Sequence, residues 1–447
     1  MRIAIVGGGY AGAAVATALL KGLSLGNSIT VYEPAEEIGR GVAYVRGPDH
    51  HLLNVAAHTI ALTPGEEGQF TDWVLENYSD AHVYREDDGA YFFPRAWFGT
   101  YVGKCLQAAA RRNPRFRLEH RREIARSISL AGDVLSIASD SGTVSYDKVI
   151  VAIGNGPSVP LRALEPLGAF STYTAQSAWD FDPSAVSKMA RVVVVGAGLT
   201  MADVAASLEA HGHLGSITCI SRNGRRSQVA VGFRPDFTPT DGLCTPSTAR
   251  HLLAAGRGWV QEASVRCGDW RPGVDFIRLN VRSIWRALSA DERKRLRRHV
   301  RSLWEIHRYQ MPPAAHRRLE RLAASGRFAH IRASVLGVVP GAVRVHADGK
   351  VQDVPADVVV NASGFDTSYR NALAPIDALL AGTGIDLDEA RRDGLSVDDH
   401  GRPMGTRDDV VGKFYALGFL ARANHGDLAT VNTIGALAAA IASDICG

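Results

Sequence analysis

Met1-Arg2-Ile3-Ala4-Ile5-Val6-Gly7-Gly8-Gly9-Tyr10-Ala11-Gly12 opens the chain, and its reading decides the fold. Ile3 to Val6 is an unbroken apolar run of the kind found in a strand buried on both faces. It leads into Gly7, Gly9 and Gly12, which form G-x-G-x-x-G, and then into a small-residue helix from Ala13 to Leu20. In a strand-turn-helix unit the first glycine makes the tight turn and the second admits a pyrophosphate close to the backbone. The third lets helix and strand pack closely. A second strand, Ser28 to Tyr32, ends in Glu33, twenty-one residues after Gly12, where a carboxylate suits a ribose diol. The unit reads as a dinucleotide site rather than as a structural glycine turn.

A second copy follows. Arg191 to Val195 is another buried strand and feeds Gly196-Ala197-Gly198-Leu199-Thr200-Met201, with Met201 where the third glycine would stand. Its second strand, Ser216 to Ile220, ends not in an acid but in Ser221-Arg222, with Arg225 and Arg226 close behind. Guanidinium groups there can pair a 2'-phosphate, which favours NADP(H) over NAD(H); the plain alternative is a solvated loop. The copies also match downstream. Asp147-Lys148-Val149-Ile150-Val151-Ala152-Ile153-Gly154 and Asp357-Val358-Val359-Val360-Asn361-Ala362-Ser363-Gly364 each follow a stretch of short strands and turns. Two dinucleotide-binding units are expected, the second inserted into the first. The carboxyl terminus should then complete the first, with a strand at Lys413 to Gly418 and an alanine-rich helix opening at Thr433 and Ile434. The amino end of that helix would suit negative charge, although a plain amphipathic helix reads the same way.

The bulk properties exclude several other classes. The 447 residues exceed the usual single domain, and the formal net charge of +4 is too mild to argue for nucleic acid. The densest basic run, Arg293 to Arg301, carries Leu296 and Val300 four residues apart and reads as the solvated face of an amphipathic helix. Cys105, Cys219, Cys244, Cys267 and Cys446 form no C-x-x-C pair and no metal-ligand cluster, so no metal is expected and the thiols suit a reducing cytoplasm. No signal peptide is evident, and the apolar stretches fall short of a membrane span.

Nested dinucleotide units, the Ala-Ile-Gly and Ala-Ser-Gly-Phe-Asp strand ends, and a closing Tyr-Ala-Leu-Gly strand resemble the two-domain FAD/NAD(P)H flavoproteins. Gly39-Arg40-Gly41-Val42-Ala43-Tyr44, His51-Leu52-Leu53-Asn54-Val55, Pro94-Arg95, Gly198 to Asp203, and Trp304 with His307-Arg308 narrow the resemblance. They are similar to the FAD-NAD(P)-binding flavoprotein family, near the N-hydroxylating and Baeyer-Villiger flavin monooxygenases. The resemblance implies that Gly7, Gly9, Tyr10, Ala11, Gly12 and Glu33 hold the adenosine half of FAD, and that Arg40 with its loop reaches the pyrophosphate and ring. It adds Asn54 as a polar contact near the flavin, where a turn asparagine is an equal reading. Gly154, Gly364, Phe365, Gly418, Thr433 and Ile434 are expected as further cofactor contacts, and Gly196, Gly198, Leu199, Thr200, Arg222 and Arg225 as those of NADPH. The linker Phe170 to Asp180 lies where Baeyer-Villiger enzymes carry F-x-G-x-x-x-H-x-x-x-W, but Thr172 and Gln176 replace its glycine and histidine, which argues against that chemistry.

The expected fold is therefore α/β, with two nested Rossmann-like domains plus a helical insertion. Residues 1–160 and 355–447 form the FAD domain, 161–244 and 326–354 the NAD(P)H domain, and 245–325 the insertion, a substrate lid. On the insertion, His307 and Arg308 join Asn54 as candidate catalytic or substrate-binding residues, unless Trp304 and His307 simply form a helix packing face. No cysteine lies between Tyr32 and Cys105, which removes thiol-disulfide reduction and leaves dioxygen as the electron acceptor. The expected activity is an NADPH-consuming monooxygenase that N-hydroxylates a small amine or amino acid through a flavin C4a-hydroperoxide. The alternatives are an FAD-dependent amine oxidase or dehydrogenase and a non-catalytic flavin-binding redox sensor or assembly partner. Expected partners are the small-molecule substrate and dioxygen, with no nucleic acid and no membrane; a homo-oligomer stays open.

Overall fold

The computed structural model describes the chain except for residues 24–25, 113–116, 155–160, 165–172, 176, 365–373, 388–393, 406–409, 424–425 and 427–429. The first sheet is parallel throughout. Its spatial order is Phe414–Ala416 (β16), Lys148–Val151 (β7), Arg2–Val6 (β1), Ser28–Tyr32 (β2) and Arg117–Arg121 (β3). Ile3, Ala4 and Ile5 are fully buried because helices cover one face of the sheet and a small antiparallel sheet, which contacts it through Val134–Ser139 and Gly142–Tyr146, covers the other. The second sheet is also parallel, in the order Phe328–Arg332 (β11), Ile217–Ser221 (β10), Val192–Val195 (β9), Val358–Asn361 (β15) and Tyr173–Ala175 (β8). A three-stranded antiparallel sheet precedes the closing strand of each unit. Ser127–Ala131 (β4), Val134–Ser139 (β5) and Gly142–Tyr146 (β6) lead into β7; Ser334–Val339 (β12), Ala342–Ala347 (β13) and Lys350–Pro355 (β14) lead into β15.

The duplication extends to single hydrogen bonds. The Asp147 carboxylate accepts the Arg2 amide at 2.6 Å, and Asp357 accepts the Arg191 amide at 2.8 Å, so each aspartate pins the start of the strand beside its own. The second sheet lies in sequence between β7 and β16, which confirms the nesting. One boundary moves. The division at 354/355 assigned Val358–Asn361 to the first domain, yet this strand pairs with β9 in register Val358 to Val192 through Asn361 to Val195. The second domain therefore extends at least through Asn361, because an apolar Val-Val-Val strand is buried only between two parallel neighbours. The last strand of the first sheet is shorter than the expected 413–418.

Helices Tyr10–Gly22 (α1), Gln69–Asn77 (α2) and Arg95–Arg112 (α3) belong to the first domain, and α1 packs between α3 and the terminal helix, Val431–Cys446. That terminal helix opens two residues before Thr433, because the Thr430 hydroxyl accepts the Thr433 amide at 3.1 Å. Leu199–Ala210 (α4) follows the second glycine loop. The insertion is helical as expected: Ala249–Cys267 (α5), Arg271–Leu279 (α6), Val281–Ala287 (α7), Ala290–Arg308 (α8) and Pro313–Ala324 (α9). Thr248 and Ser289 cap α5 and α8 with their hydroxyls, and Gly268 ends α5 in a left-handed conformation. The basic run lies on α8, where Leu296 packs against the small core of Leu252, Trp259, Phe276, Ile284 and Leu288. Its charges are exposed or paired, as in Arg301 with Glu305 at 2.7 Å. Among the described residues, no helix is long and apolar enough to cross a membrane.

Candidate functional site

The first glycine loop is built of main chain. Gly7 has φ of 100°, and a side chain there would come within 2.7 Å of the Ala152 carbonyl oxygen on the neighbouring strand. A Cβ on Gly12 would lie only 2.0 Å from the Gly7 carbonyl oxygen, so α1 leaves the loop with its backbone against β1. Gly9 caps α1 with no side-chain bond, which leaves the amide groups of the first turn for an anion. The main chain of Gly41 closes over it, 3.3 Å from where a Gly9 Cβ would be. Glu33 reaches into the loop, its carboxylate accepting the Gly8 amide at 2.8 Å and the Ala35 amide at 2.9 Å.

Other first-domain candidates have other duties. The Arg40 guanidinium donates to the Ala96 carbonyl at 3.1 Å and the Thr100 hydroxyl at 3.0 Å and pairs with Glu37, which ties its loop to α3. Tyr10 is buried and donates its hydroxyl to the Val431 carbonyl at 3.0 Å. A Cβ on Gly418 would rest 3.5 Å from that of Ala11. The glycine loop, the turn after β16 and the first turn of the terminal helix thus converge. Asn432 joins them to the 59–61 segment, donating to the Thr59 carbonyl at 2.8 Å and accepting the Ala61 amide at 3.3 Å. Thr433 and Ile434 lie in this same first turn. Gly154 is exposed just past β7.

The second loop repeats the first, except at Met201. Gly196 has φ of 116°, with the Ala362 carbonyl oxygen 2.3 Å from where a Cβ would be, and Gly198 caps α4 facing open space. Leu199 and Thr200 begin the helix, and Met201 is fully buried beneath it. Arg222 and Arg225 are exposed on the turn after β10, and neither is ion-paired among the described residues. Arg225 lines a cleft of about 340 Å³ with Arg226, Gln228, Met311 and His316; Arg226 itself donates to Glu320 at 3.3 Å. Gly364 is exposed with φ of 95°. Phe365, and linker residues 170–172 and 176, lie outside the described residues.

The junction between the units joins His51, Arg95 and Asp203, which the sequence motifs contained without a role, to His50 and Ser207, which they did not. On α4, Asp203 and Ser207 are four apart and share one face. Arg95, at the start of α3, donates to the Asp203 carboxylate at 2.8 Å. His50 and His51 both place Nε2 on the Ser207 hydroxyl, at 3.1 and 2.9 Å. Burial pushes the Asp203 carboxyl up to about 6 in spite of Arg95. Burial, with the adjacent His51 ring and Arg318, pulls the His50 imidazole down to about 4; burial and Arg95 do the same to His51. The motif positions His51, Arg95 and Asp203, with the i,i+4 spacing of Asp203 and Ser207 on α4, were the local signals of this junction.

A strap from Gln228 to Arg234 crosses the same region. The Gly232 amide donates to Asp88 at 2.8 Å, the Phe233 ring stacks on His58 at 4.6 Å, and Ala230 bonds through its amide to the Met311 carbonyl at 2.8 Å. Asn54 sits in the segment beside this strap, partly buried and without a hydrogen-bond partner among the described residues. His307 is taken up by packing, its Nδ1 on the Leu303 carbonyl at 2.8 Å and its ring edge-on to Trp270 at 5.0 Å. Arg308 is 9% exposed, with its guanidinium over the Tyr309 ring.

Residues 4–156 match the family model described as FAD-NAD(P)-binding. No curated protein matches the chain in sequence. Among solved structures, the ornithine N-hydroxylase of Kutzneria sp. 744 superposes with a TM-score of 0.63 at 17% identity, over 99% of this chain and 98% of that one. The L-lysine 6-monooxygenase of Pseudomonas syringae gives 0.60 at 15% identity over 99% and 98%. The bacillithiol disulfide reductase of Bacillus cereus gives 0.52 at 14% over 100% and 99%. These likenesses share one fold across different reactions, so the chemistry rests on the residues of the site.

Proposed function

We propose that this chain is a flavin-dependent oxidoreductase of the cytoplasm that uses NADPH, FAD and dioxygen to N-hydroxylate a small amine or amino acid. The observation that carries the reading is the contrast between two strand ends. Glu33 closes the first glycine loop with a carboxylate that suits an unphosphorylated ribose, whereas Arg222 and Arg225 leave the second exposed and positive. Both loops fit a dinucleotide, with positive-φ glycines packed on a carbonyl and a side-chain-free cap before each helix. Residues Gly7 to Gly12 with Glu33 would hold FAD, and Gly196 to Thr200 with Arg222 and Arg225 would hold NADPH. When bound, FAD supplies hydride acceptance and oxygen activation. The chain's own work is to bind, to orient the two nucleotides across the junction, and to exclude water there.

The likeness to ornithine and lysine hydroxylases supports amine N-hydroxylation at the level of fold. The cysteines argue against the disulfide-reductase alternative: all five are free, and none lies between Tyr32 and Cys105 in the segment that follows the first loop. Anaerobic mixing of the FAD-loaded protein with NADPH should bleach the flavin absorbance. Admitting oxygen with a panel of amino acids and amines should then yield a hydroxylamine with little peroxide. Bleaching by an amine alone would replace this reading with an amine oxidase, a reading favoured by the buried Met201 in place of the third glycine. No bleaching by either reagent would refute both enzyme readings and leave a flavin-binding sensor.

Nucleotide choice is separately testable. The double variant Arg222→Ala/Arg225→Ala should raise KM for NADPH about tenfold or more, the worth of one or two charge-assisted bonds, and leave KM for NADH nearly unchanged. An equal effect on both nucleotides removes the 2'-phosphate assignment.

A further inference from the structure

Two guanidinium groups share one carboxylate where the insertion meets the strap. Arg234, on the strap, donates through Nη1 to Asp275 Oδ2 at 2.6 Å and through Nη2 to the Gln310 side-chain oxygen at 2.6 Å. Arg278, one helical turn beyond Asp275 on α6, donates through Nε to Asp275 Oδ1 at 3.2 Å. Both oxygens of Asp275 are therefore engaged, and the three side chains carry a net charge of +1. The terminal nitrogens of Arg278 make no hydrogen bond among the described residues. Arg278 and Arg234 are 27% and 23% exposed, open enough for a small ion yet largely desolvated, and Gln310 is 3% exposed. Burial holds the Arg278 guanidinium below its ordinary value, with Arg308 and Arg234 acting the same way against Asp275. An excess buried cation of this kind is stabilised by an added anion, and a guanidinium fork matches a carboxylate.

The cluster lies beside the contact between the insertion and the first domain. Phe233, next to Arg234, stacks on His58 of the first domain, and Trp285 on α7 donates to the Ala423 carbonyl at 2.9 Å, in the segment that leads to the terminal helix. We propose that Arg278 and Arg234 form a carboxylate-binding site, so that the substrate is a carboxylate-bearing amine and not a simple amine or polyamine. Its meaning for catalysis rests on the monooxygenase reading; the binding site itself does not.

The test is titration calorimetry on the FAD-loaded protein with L-lysine, with cadaverine, which is lysine without its carboxylate, and with glutarate, which has no amine. L-lysine and glutarate should bind and cadaverine should not. Arg278→Gln should weaken glutarate about tenfold, the loss of one bond to a charged group, and Arg278→Lys should restore part of it. Asp275→Asn removes the competing carboxylate and should tighten glutarate binding several-fold, a gain that a merely structural role would not give. The proposal is overturned if cadaverine binds as well as L-lysine, if no carboxylate binds at millimolar concentration, or if neither variant shifts the glutarate affinity. It is also overturned if Arg278→Gln weakens NADPH instead of glutarate, which would assign the group to a nucleotide phosphate. Binding as expected without any NADPH-dependent hydroxylation would sink the monooxygenase reading and leave the anion site standing.

Discussion

Gly12→Ala should yield a protein that retains no FAD and melts far below the wild type. The new methyl would lie 2.0 Å from the Gly7 carbonyl oxygen, and that neighbour is backbone, with no flexible side chain to swing aside. Relief requires α1 to lift off β1. Ala13, Val15, Ala16 and Leu19 on that helix are buried in the main core, and the terminal helix packs against it, so the displacement spreads. Overpacking a tight core costs roughly 1–3 kcal/mol, and a backbone clash this deep belongs at or above the upper end. Differential scanning fluorimetry and the flavin-to-protein absorbance ratio read both effects. Gly198→Ala is the internal control, because a Cβ there meets open space and should leave the melting temperature within a degree or two. Equal behaviour of the two variants would refute the packing role given to the third glycine.

The second large effect is expected at Arg95. Arg95→Ala leaves the Asp203 carboxylate facing the first domain without its partner, and removing one member of such a pair costs about 3–5 kcal/mol. The loss should depend on pH in a defined direction. Asp203 titrates near 6 in the folded protein, above the range of an unfolded aspartate. A carboxyl raised by folding contributes stability that is present at low pH and is lost as pH rises through its folded value. Without Arg95 the Asp203 carboxyl rises further and takes up its proton at a higher pH than in the wild type, so the difference between wild type and Arg95→Ala should be larger at pH 7 than at pH 5, where Asp203 is protonated in both proteins. Urea denaturation at pH 5 and pH 7 measures it. A difference that does not change with pH would show that Arg95 acts through its contact with the Trp179 ring rather than through charge.

These two residues mark how far the sequence could be read. Gly12 was legible because its constraint is local: strand, turn and helix are contiguous, and the same spacing recurs at Gly196 and Gly198. Glu33 and the exposed Arg222 and Arg225 were legible for the same reason, as ends of strands whose starts are fixed by the glycine loops. The junction was not. His51 and Ser207 are 156 positions apart and Arg234 and Asp275 are 41 apart, so their pairing depends on how whole elements dock and leaves no periodicity behind. The partners of Arg40 were equally hidden: Glu37, Ala96 and Thr100 hold its guanidinium only once α3 packs beside the loop. The strand Val358–Asn361 was identified correctly and placed in the wrong domain, because an apolar run states that it is buried without stating between which neighbours.

The nesting of one sheet inside the other also sets an order of events during synthesis. β1 and α1 leave the ribosome first, but β16 and the terminal helix that pack on them come last, more than 390 residues later. At bacterial or eukaryotic elongation rates of about 5–20 residues per second, that interval is tens of seconds. The inner domain has all five of its strands by Asn361 and can close on its own, while the apolar edge of β7 and one face of α1 wait uncovered. The outer domain is thus the last to mature. Ribosome-bound chains stalled near residue 400 should hold a protease-resistant inner domain and a labile outer one.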